Sequence, residues 1–243
     1  EDGSGAPLVL LHPGGADSRA FEVNLPGLVD RFRVLRPDRR GHGRTPDVDG
    51  PITYEQMAQD TIAFLDKVVG GPVRLVGYSA GATVALRVAV GRPNLVDRLV
   101  LISGAFHRDG MILRPTADAA PPPQLVAAYA EVSPDGAEHL PVVIAKIAQS
   151  VAEEPGLTAA DLGAVACRTL VMVGDDDNVT LEHTLALYRG LRNAQLAIVP
   201  AASHLLLLEK PELCTRLVSD FLTTDSTPTM MPIRRATPAT TSD

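Results

Sequence analysis

Residues 73–90 read VRLVGYSAGATVALRVAV. The apolar run Val73 to Val76 predicts a short strand. It ends in Gly77-Tyr78-Ser79-Ala80-Gly81, and a helix-like run of small and apolar residues follows at once. G-x-S-x-G between a strand and a helix puts the serine on a sharp turn, in a strained backbone conformation that lifts its hydroxyl above the sheet. Gly77 and Gly81 lie two residues either side of Ser79, where a Cβ would collide across the turn. Ala80 matters through its backbone N–H, which the turn points toward a carbonyl that Ser79 would attack.

Outward from this stretch, short apolar runs and amphipathic segments alternate. Upstream, Leu8 to Leu11 is a continuous apolar run, as expected for a strand buried on both faces of a parallel sheet. It leads into the turn His12-Pro13-Gly14-Gly15. Asp17 or Ser18 then caps a helix expected to reach about Asp30. Arg33 to Arg36 is a second strand, followed by a polar loop from Pro37 to Arg44. Thr53-Tyr54-Glu55-Gln56 has the T-x-x-Q form of a capping box. It opens a helix that Gly70-Gly71-Pro72 stops.

Downstream, Asp97 to Ser103 and Arg168 to Val173 are strands, the second ending in Gly174-Asp175-Asp176-Asp177-Asn178. Thr180 to Leu191 is a helix with Leu181, Leu185, Tyr188 and Leu191 along one face. Gln195 to Val199 is a last strand, running into Pro200-Ala201-Ala202-Ser203-His204. Pro211 suits the first turn of a final helix. This alternation implies an α/β fold: a mostly parallel sheet of about six strands with helices on both faces. In such sheets ligands bind beyond the carboxyl ends of the strands. Each distinctive polar motif sits at such an end.

Three regions are expected. Residues 1–103 and 164–223 form the α/β core. Residues 104–163 break the alternation, because Pro115 and Pro121-Pro122-Pro123 interrupt regular structure and leave two weak helices, 124–132 and 141–152. A segment this long inside a compact domain is uncommon unless functional, so it reads as a small helical lid or cap. Residues 224–243, rich in Thr, Pro and Ser, read as a flexible tail.

Composition narrows the function. Hydrophobic residues are 45% and charged residues 21%, as in a soluble globular protein able to bury a core. Aromatics are only 4%, so that core leans on Leu, Val and Ala. The net charge is -7, with basic pairs at Arg39-Arg40 and Arg234-Arg235 but no clustered basic face for nucleic acid. The longest apolar runs are far too short to span a bilayer. Cys167 and Cys214 form no metal or redox motif, and a cytoplasmic setting is the default. The chain starts at Glu1 rather than Met, which leaves a removed leader open. Oligomeric state leaves no trace in the sequence.

A serine hydroxyl is a weak nucleophile until a base takes its proton. The base is best a histidine, oriented by a buried carboxylate. Ser79, Asp177 and His204 occur in the order nucleophile, acid, base, each just past a predicted strand. In these features the chain resembles the α/β-hydrolase fold serine hydrolases, from Pro7 to Leu222. Gly77 to Gly81 resembles their nucleophile elbow, Gly174 to Asp177 their G-x-x-D acid turn, and Pro200 to His204 their P-x-x-x-H histidine loop. His12 to Gly15 resembles the H-G-x-G oxyanion loop, and Arg40-Gly41-His42-Gly43-Arg44 the R-G-x-G-x-S loop.

The resemblance implies Ser79, Asp177 and His204 as catalytic residues. It also implies Ala80 and Gly14 as oxyanion donors, with Gly15 as the fallback. Pro13 replaces the usual first glycine of that loop and offers no N–H; Thr45 stands where the other loop usually has Ser. The family usually has two antiparallel strands before the strand at Leu8. Only seven residues precede Leu8 here, so those strands are expected to be absent and a sheet edge exposed. His12 and His42 read as structural; His107, His139 and His183 as surface or lid residues; Arg114 as solvated. The run of Asp175 to Asn178 lacks the spacing, glycine and distal Glu of a calcium loop.

The expected activity is hydrolysis of carboxylic esters of small to medium acyl substrates through an acyl-enzyme on Ser79, with no metal or organic cofactor. Thioesterase, lactonase and carbon–carbon bond hydrolase reuse the same residues. Epoxide hydrolases and dehalogenases of this fold carry Asp at the elbow, where this chain has Ser79. A non-catalytic ligand-binding protein on the same scaffold is the alternative from another class.

Overall fold

The computed structural model describes residues 1–23, 25, 27–225 and 229–231. Its strands are β1 (Pro7–Leu11), β2 (Arg33–Leu35), β3 (Val73–Tyr78), β4 (Val96–Ile102), β5 (Arg168–Asp176) and β6 (Ala194–Ser203). They form one sheet in the order β2-β1-β3-β4-β5-β6, every pair parallel. Side chains alternate between the faces of a strand, and here both faces are covered. Val9, Leu11, Leu75 and Leu99 join one apolar cluster, while Leu8, Leu10, Val76 and Val100 join another. Burial on both sides is why the strands read as unbroken apolar runs.

The helices are α1 (Ala20–Val23), α2 (Tyr54–Phe64), α3 (Ala80–Gly91), α4 (Pro123–Val132), α5 (Leu140–Glu153), α6 (Ala159–Leu162), α7 (Leu181–Gly190), α8 (Leu206–Glu209) and α9 (Pro211–Thr223). The Thr53 capping box forms as its sequence predicts, with the Thr53 side chain accepting from Gln56 N and the Gln56 side chain reaching back. The first helix is much shorter than expected. It is α1 plus a 3-10 turn at Leu28–Asp30, because Leu25 and Gly27 take positive φ values of 58° and 81°. The buried face of α7 carries Thr184 and Leu187, with Leu181, Leu185 and Tyr188 only half-buried.

β5 and β6 both run beyond their predicted ends. Gly174 still pairs with Val199, and Asp176 with Ser203 across an irregularity in register. Pro200 does not stop β6, since an edge strand tolerates a missing N–H. At the opposite edge no leading antiparallel strand lies among the described residues. Asp2 instead makes a single antiparallel bridge to Val34 of β2, and Glu1 pairs with Arg33 at 2.6 Å.

The chain runs outward from β1 to β2 and then crosses back to β3 on the other side of β1. The loops after β1 and β3 therefore part at a switch in strand order, where such sheets open a crevice. Residues 104–163 pack over this carboxyl end, and their Val143, Ile147 and Leu162 share the main apolar cluster. Polar clamps tie them down. Glu154 accepts from the N–H groups of Tyr54 and Glu55 at 2.7 and 2.8 Å, where the dipole of α2 favours a carboxylate. Asp47 lies 2.6 Å from Lys146 and 2.8 Å from His139. Arg19 reaches Glu131 at 2.6 Å. Most of the expected tail, residues 226–228 and 232–243, lies outside the described residues.

Candidate active site

Ser79 joins β3 to α3 with φ 53° and ψ -119°, a backbone conformation that costs about 1–3 kcal/mol. Its flanking glycines are demanded by close approach. A Cβ on Gly77 would lie 2.3 Å from the Gly81 carbonyl oxygen, and one on Gly81 would lie 2.0 Å from that of Leu11. Ser79 N–H donates to Ile102 O at 2.8 Å, which ties the turn to β4.

The sheet brings the three expected residues together across more than a hundred positions of chain. Ser79 Oγ is 2.9 Å from His204 Nε2, and His204 Nδ1 is 2.7 Å from Asp177 Oδ1. An ionised carboxylate only accepts, so Nδ1 carries the hydrogen and Nε2 faces Ser79 with its lone pair. The Asp177 side chain is fully sealed, whereas that of His204 is 31% exposed and lines the cavity beside Ser79. Burial alone raises the Asp177 pKa, but hydrogen bonds from His204, Ser103 and Val179 N outweigh it and hold the carboxyl below its ordinary range.

Asp175 and Asp176 stay exposed, and Asp175 accepts from the backbone of the neighbouring strand, with Ala202 N at 3.1 Å. Among the described residues no group of three His, Cys, Asp or Glu side chains could hold a metal ion.

Two supporting side chains escaped the sequence reading. Ser103, at the end of β4, donates to Asp177 Oδ2 at 2.5 Å. Its position just past a strand, like that of the other site residues, was the available signal. Tyr78 donates to His204 O at 2.5 Å and fixes the histidine loop; nothing in the pentapeptide points to that role.

The backbone N–H groups of Gly14, Gly15 and Ala80 donate to no protein acceptor. Gly14 and Ala80 line the cavity that holds Ser79 and His204, and a Cβ on Gly14 would come within 3.4 Å of the Ala80 Cβ. Gly15 instead packs beneath Leu125 and Ile144, 3.1 Å from where its Cβ would stand.

The peptide unit between Pro13 and Gly14 is held from behind. Its carbonyl accepts from His12 Nδ1 at 2.8 Å and from Arg39 Nη2 at 3.2 Å, so the Gly14 N–H must face the other way. The missing donor of Pro13 is therefore no obstacle. Arg39, which the sequence presented as half of a basic pair, is 6% exposed and also donates to His12 O at 2.5 Å. Burial lowers its pKa to about 10. Burial, then the charge of Arg39, depresses His42 to about 4 and His12 well below 6.5, so both rings are neutral and structural.

The cavity measures about 200 Å³. Met111, Leu113, Pro115, Ile144, Ile147 and Val179 supply its apolar walls, and no Lys, Arg, Asp or Glu side chain among the described residues lines it. Arg114 lies outside it, paired with Asp109 at 3.0 Å. His183 is half-buried: its ring stacks on Phe106 at 4.0 Å and accepts from Phe106 N at 3.1 Å. His139 is held by Asp47, and His107 lies 3.2 Å from Asp109.

The α/β hydrolase family model matches residues 8–217. This chain belongs to the alpha/beta hydrolase family. It is 24% identical to the (E)-2-((N-methylformamido)methylene)succinate hydrolase of Acinetobacter baylyi, over 92% of this chain and 93% of that one. A thermophilic esterase from Thermogutta terrifontis superposes with a TM-score of 0.74 and 25% identity, covering 91% of this chain and 90% of the other. A serine hydrolase involved in carbazole degradation superposes with a TM-score of 0.76 and 26% identity, covering 91% and 92%. This chain is thus a hydrolase of the α/β fold. No helix among its described residues is long and apolar enough to cross a membrane.

Proposed function

We propose that this hydrolase cleaves carboxylic esters of small to medium acyl substrates through an acyl-enzyme on Ser79. The observation that carries the reading is the unbroken hydrogen-bonded line from Ser79 through His204 to Asp177, opening into an uncharged cavity beside two free backbone donors. Ser79 Oγ attacks the acyl carbonyl while His204 Nε2 takes its proton. Asp177 keeps the Nδ1–H tautomer and stabilises the imidazolium. The N–H groups of Ala80 and Gly14 receive the oxyanion, each worth ~3 kcal/mol in the transition state. His204 then protonates the leaving alkoxide. A water that His204 deprotonates attacks the acyl-enzyme, and the acid departs with Ser79 restored. These steps need neither metal nor organic cofactor.

Residues 104–163 act as the lid over this chemistry, since Leu125 and Ile144 roof Gly15 while Ile144 and Ile147 wall the cavity. The Acinetobacter relative is named for a succinate. With no cation lining the cavity to pair with a second carboxylate, an uncharged acyl chain fits better here. The partner is a small-molecule ester, met in a reducing cytoplasm where the free Cys167 and Cys214 persist. Thioesters, lactones and diketone-like acids would be cleaved by the same residues, so the deciding experiment is a substrate panel. Wild type should turn over p-nitrophenyl esters repeatedly and a fluorophosphonate should label Ser79. Ser79→Ala should lose both. Retained turnover in Ser79→Ala refutes the assignment, and single-turnover labelling with tight ligand retention would point to a binding protein instead.

A further inference from the structure

The polar side chains around the cavity are almost all occupied. Ser103 is engaged with Asp177. Thr83 Oγ1 donates to Ala105 O at 2.9 Å. Asn178 is committed twice to Leu113, accepting from its N–H at 2.7 Å and donating to its carbonyl at 2.9 Å.

Tyr54 is different. It lines the cavity with Ser79 and His204, and it also lines a smaller adjoining one that shares Thr83, Ala105 and Met111. Its backbone N–H is anchored by Glu154, so the side chain departs from a fixed point. The phenol hydroxyl has no hydrogen-bond partner among the described residues. It is not sealed either: the buried, unpartnered side-chain atoms among the described residues are His42 Nε2, Arg87 Nε, Tyr129 Oη and Thr215 Oγ1. Such an accessible donor, between the apolar cavity around Ser79 and one lined in part by Arg87 and Glu154, is free to donate to water or to a ligand atom that displaces it. Burial raises the pKa of this phenol, so it stays a donor.

The walls of the cavity differ in exposure: Leu113 is 75% exposed, whereas Tyr54, Thr83 and Ala105 are half-buried. On the proposed ester reading the alcohol leaves past Leu113 and the acyl chain lies against the other three.

We propose that Tyr54 is a specificity-determining residue whose hydroxyl donates to an acceptor oxygen in the acyl chain, remote from the scissile carbonyl. The substrate class is then esters of oxygenated acids, bearing a keto, ether or hydroxyl oxygen, rather than plain alkanoates. The proposal rests on the ester reading above.

The test compares p-nitrophenyl hexanoate with isosteric esters in which an ether oxygen is moved along the chain. Wild type should prefer one oxygen position. In Tyr54→Phe the ratio of kcat/KM for that ester to kcat/KM for the hexanoate should fall about 2- to 10-fold, as expected for one hydrogen bond. The change removes a hydroxyl that makes no hydrogen bond to the described residues and keeps the ring that packs on the core, so urea denaturation should show folding little changed. A ratio unchanged at every oxygen position overturns the proposal.

Equilibrium binding of the same esters to Ser79→Ala, with and without Tyr54→Phe, needs no turnover. If no ester is cleaved but oxygen-dependent binding is lost with the phenol, the ester reading fails and Tyr54 stands. If esters are cleaved but binding ignores the oxygen, Tyr54 falls and the ester reading stands.

Discussion

Replacing Ser103 with alanine tests how the buried acid is kept charged. Ser103 Oγ sits 2.5 Å from Asp177 Oδ2, inside a site where the carboxylate has no exposed surface. Hydrogen bonds to charged groups contribute about 1.5–3 kcal/mol. At about 1.4 kcal/mol per pKa unit, their loss lifts the Asp177 carboxyl by roughly one to two units. Val179 N at 3.1 Å, Gly174 N at 3.2 Å and His204 remain as partners, so the acid is weakened rather than removed. Ser103 has φ 50°, a strain alanine shares, so the comparison isolates the hydroxyl.

The expected outcome for Ser103→Ala is a kcat/KM about 10- to 150-fold lower at neutral pH, from the same 1.5–3 kcal/mol range. The acidic limb of the pH–rate profile should move up by about one unit. Asp177→Asn marks the floor, about 10⁴-fold down. Stopped assays of p-nitrophenyl ester cleavage from pH 4 to 9, with urea denaturation as the folding control, give both quantities. A profile that superimposes on wild type would refute the reasoning, because Ser103 would then do nothing for Asp177.

Two further outcomes follow from the buried groups behind the loop of His12 to Gly15. Arg39→Met removes a donor to the Pro13–Gly14 peptide together with a buried charge that has no carboxylate partner among the described residues. We expect kcat to fall about 10-fold with KM little changed, because the donor acts mainly on the transition state, while the melting temperature holds or rises; an unchanged kcat would show that the peptide needs no such clamp. His42 titrates at about 4 when folded and at 6.5 as a free side chain. Above pH 6.5 both states keep it neutral. As pH falls towards 4 the unfolded chain takes up a proton that the folded one refuses. Stability should therefore drop by about 3 kcal/mol over that window and level off below it, as far as this group contributes. Urea midpoints at pH 7 and 4.5 should show the loss, and His42→Gln should shrink it; equal midpoints in wild type would contradict it.

The fold was legible because it rests on local patterns. Continuous apolar runs signal strands covered on both faces, the capping box at Thr53 starts a helix, and Gly70 and Pro211 punctuate others. Errors arose where neighbours overrode local preference. The residues after Val173 read as a turn, yet they continue β5 because β6 runs on beside them. The segment after Ser18 read as one long helix, yet left-handed Leu25 and Gly27 break it.

By itself, then, the sequence determined the layered α/β architecture and pointed to Ser79, Asp177 and His204, which the fold brings within hydrogen-bond distance of one another. Those follow from short motifs whose geometry is set within a few residues, at strand ends that such a sheet gathers on one side. Only the tertiary structure decided what surrounds them. The pairing of Ser103 with Asp177, the clamp of Arg39 on Pro13 and the stacking of His183 on Phe106 all join residues far apart in the chain. No local pattern encodes which distant groups will meet. Around Ser79, the elbow's strained turn is written in five residues, while the cavity into which its hydroxyl points is assembled by the whole fold.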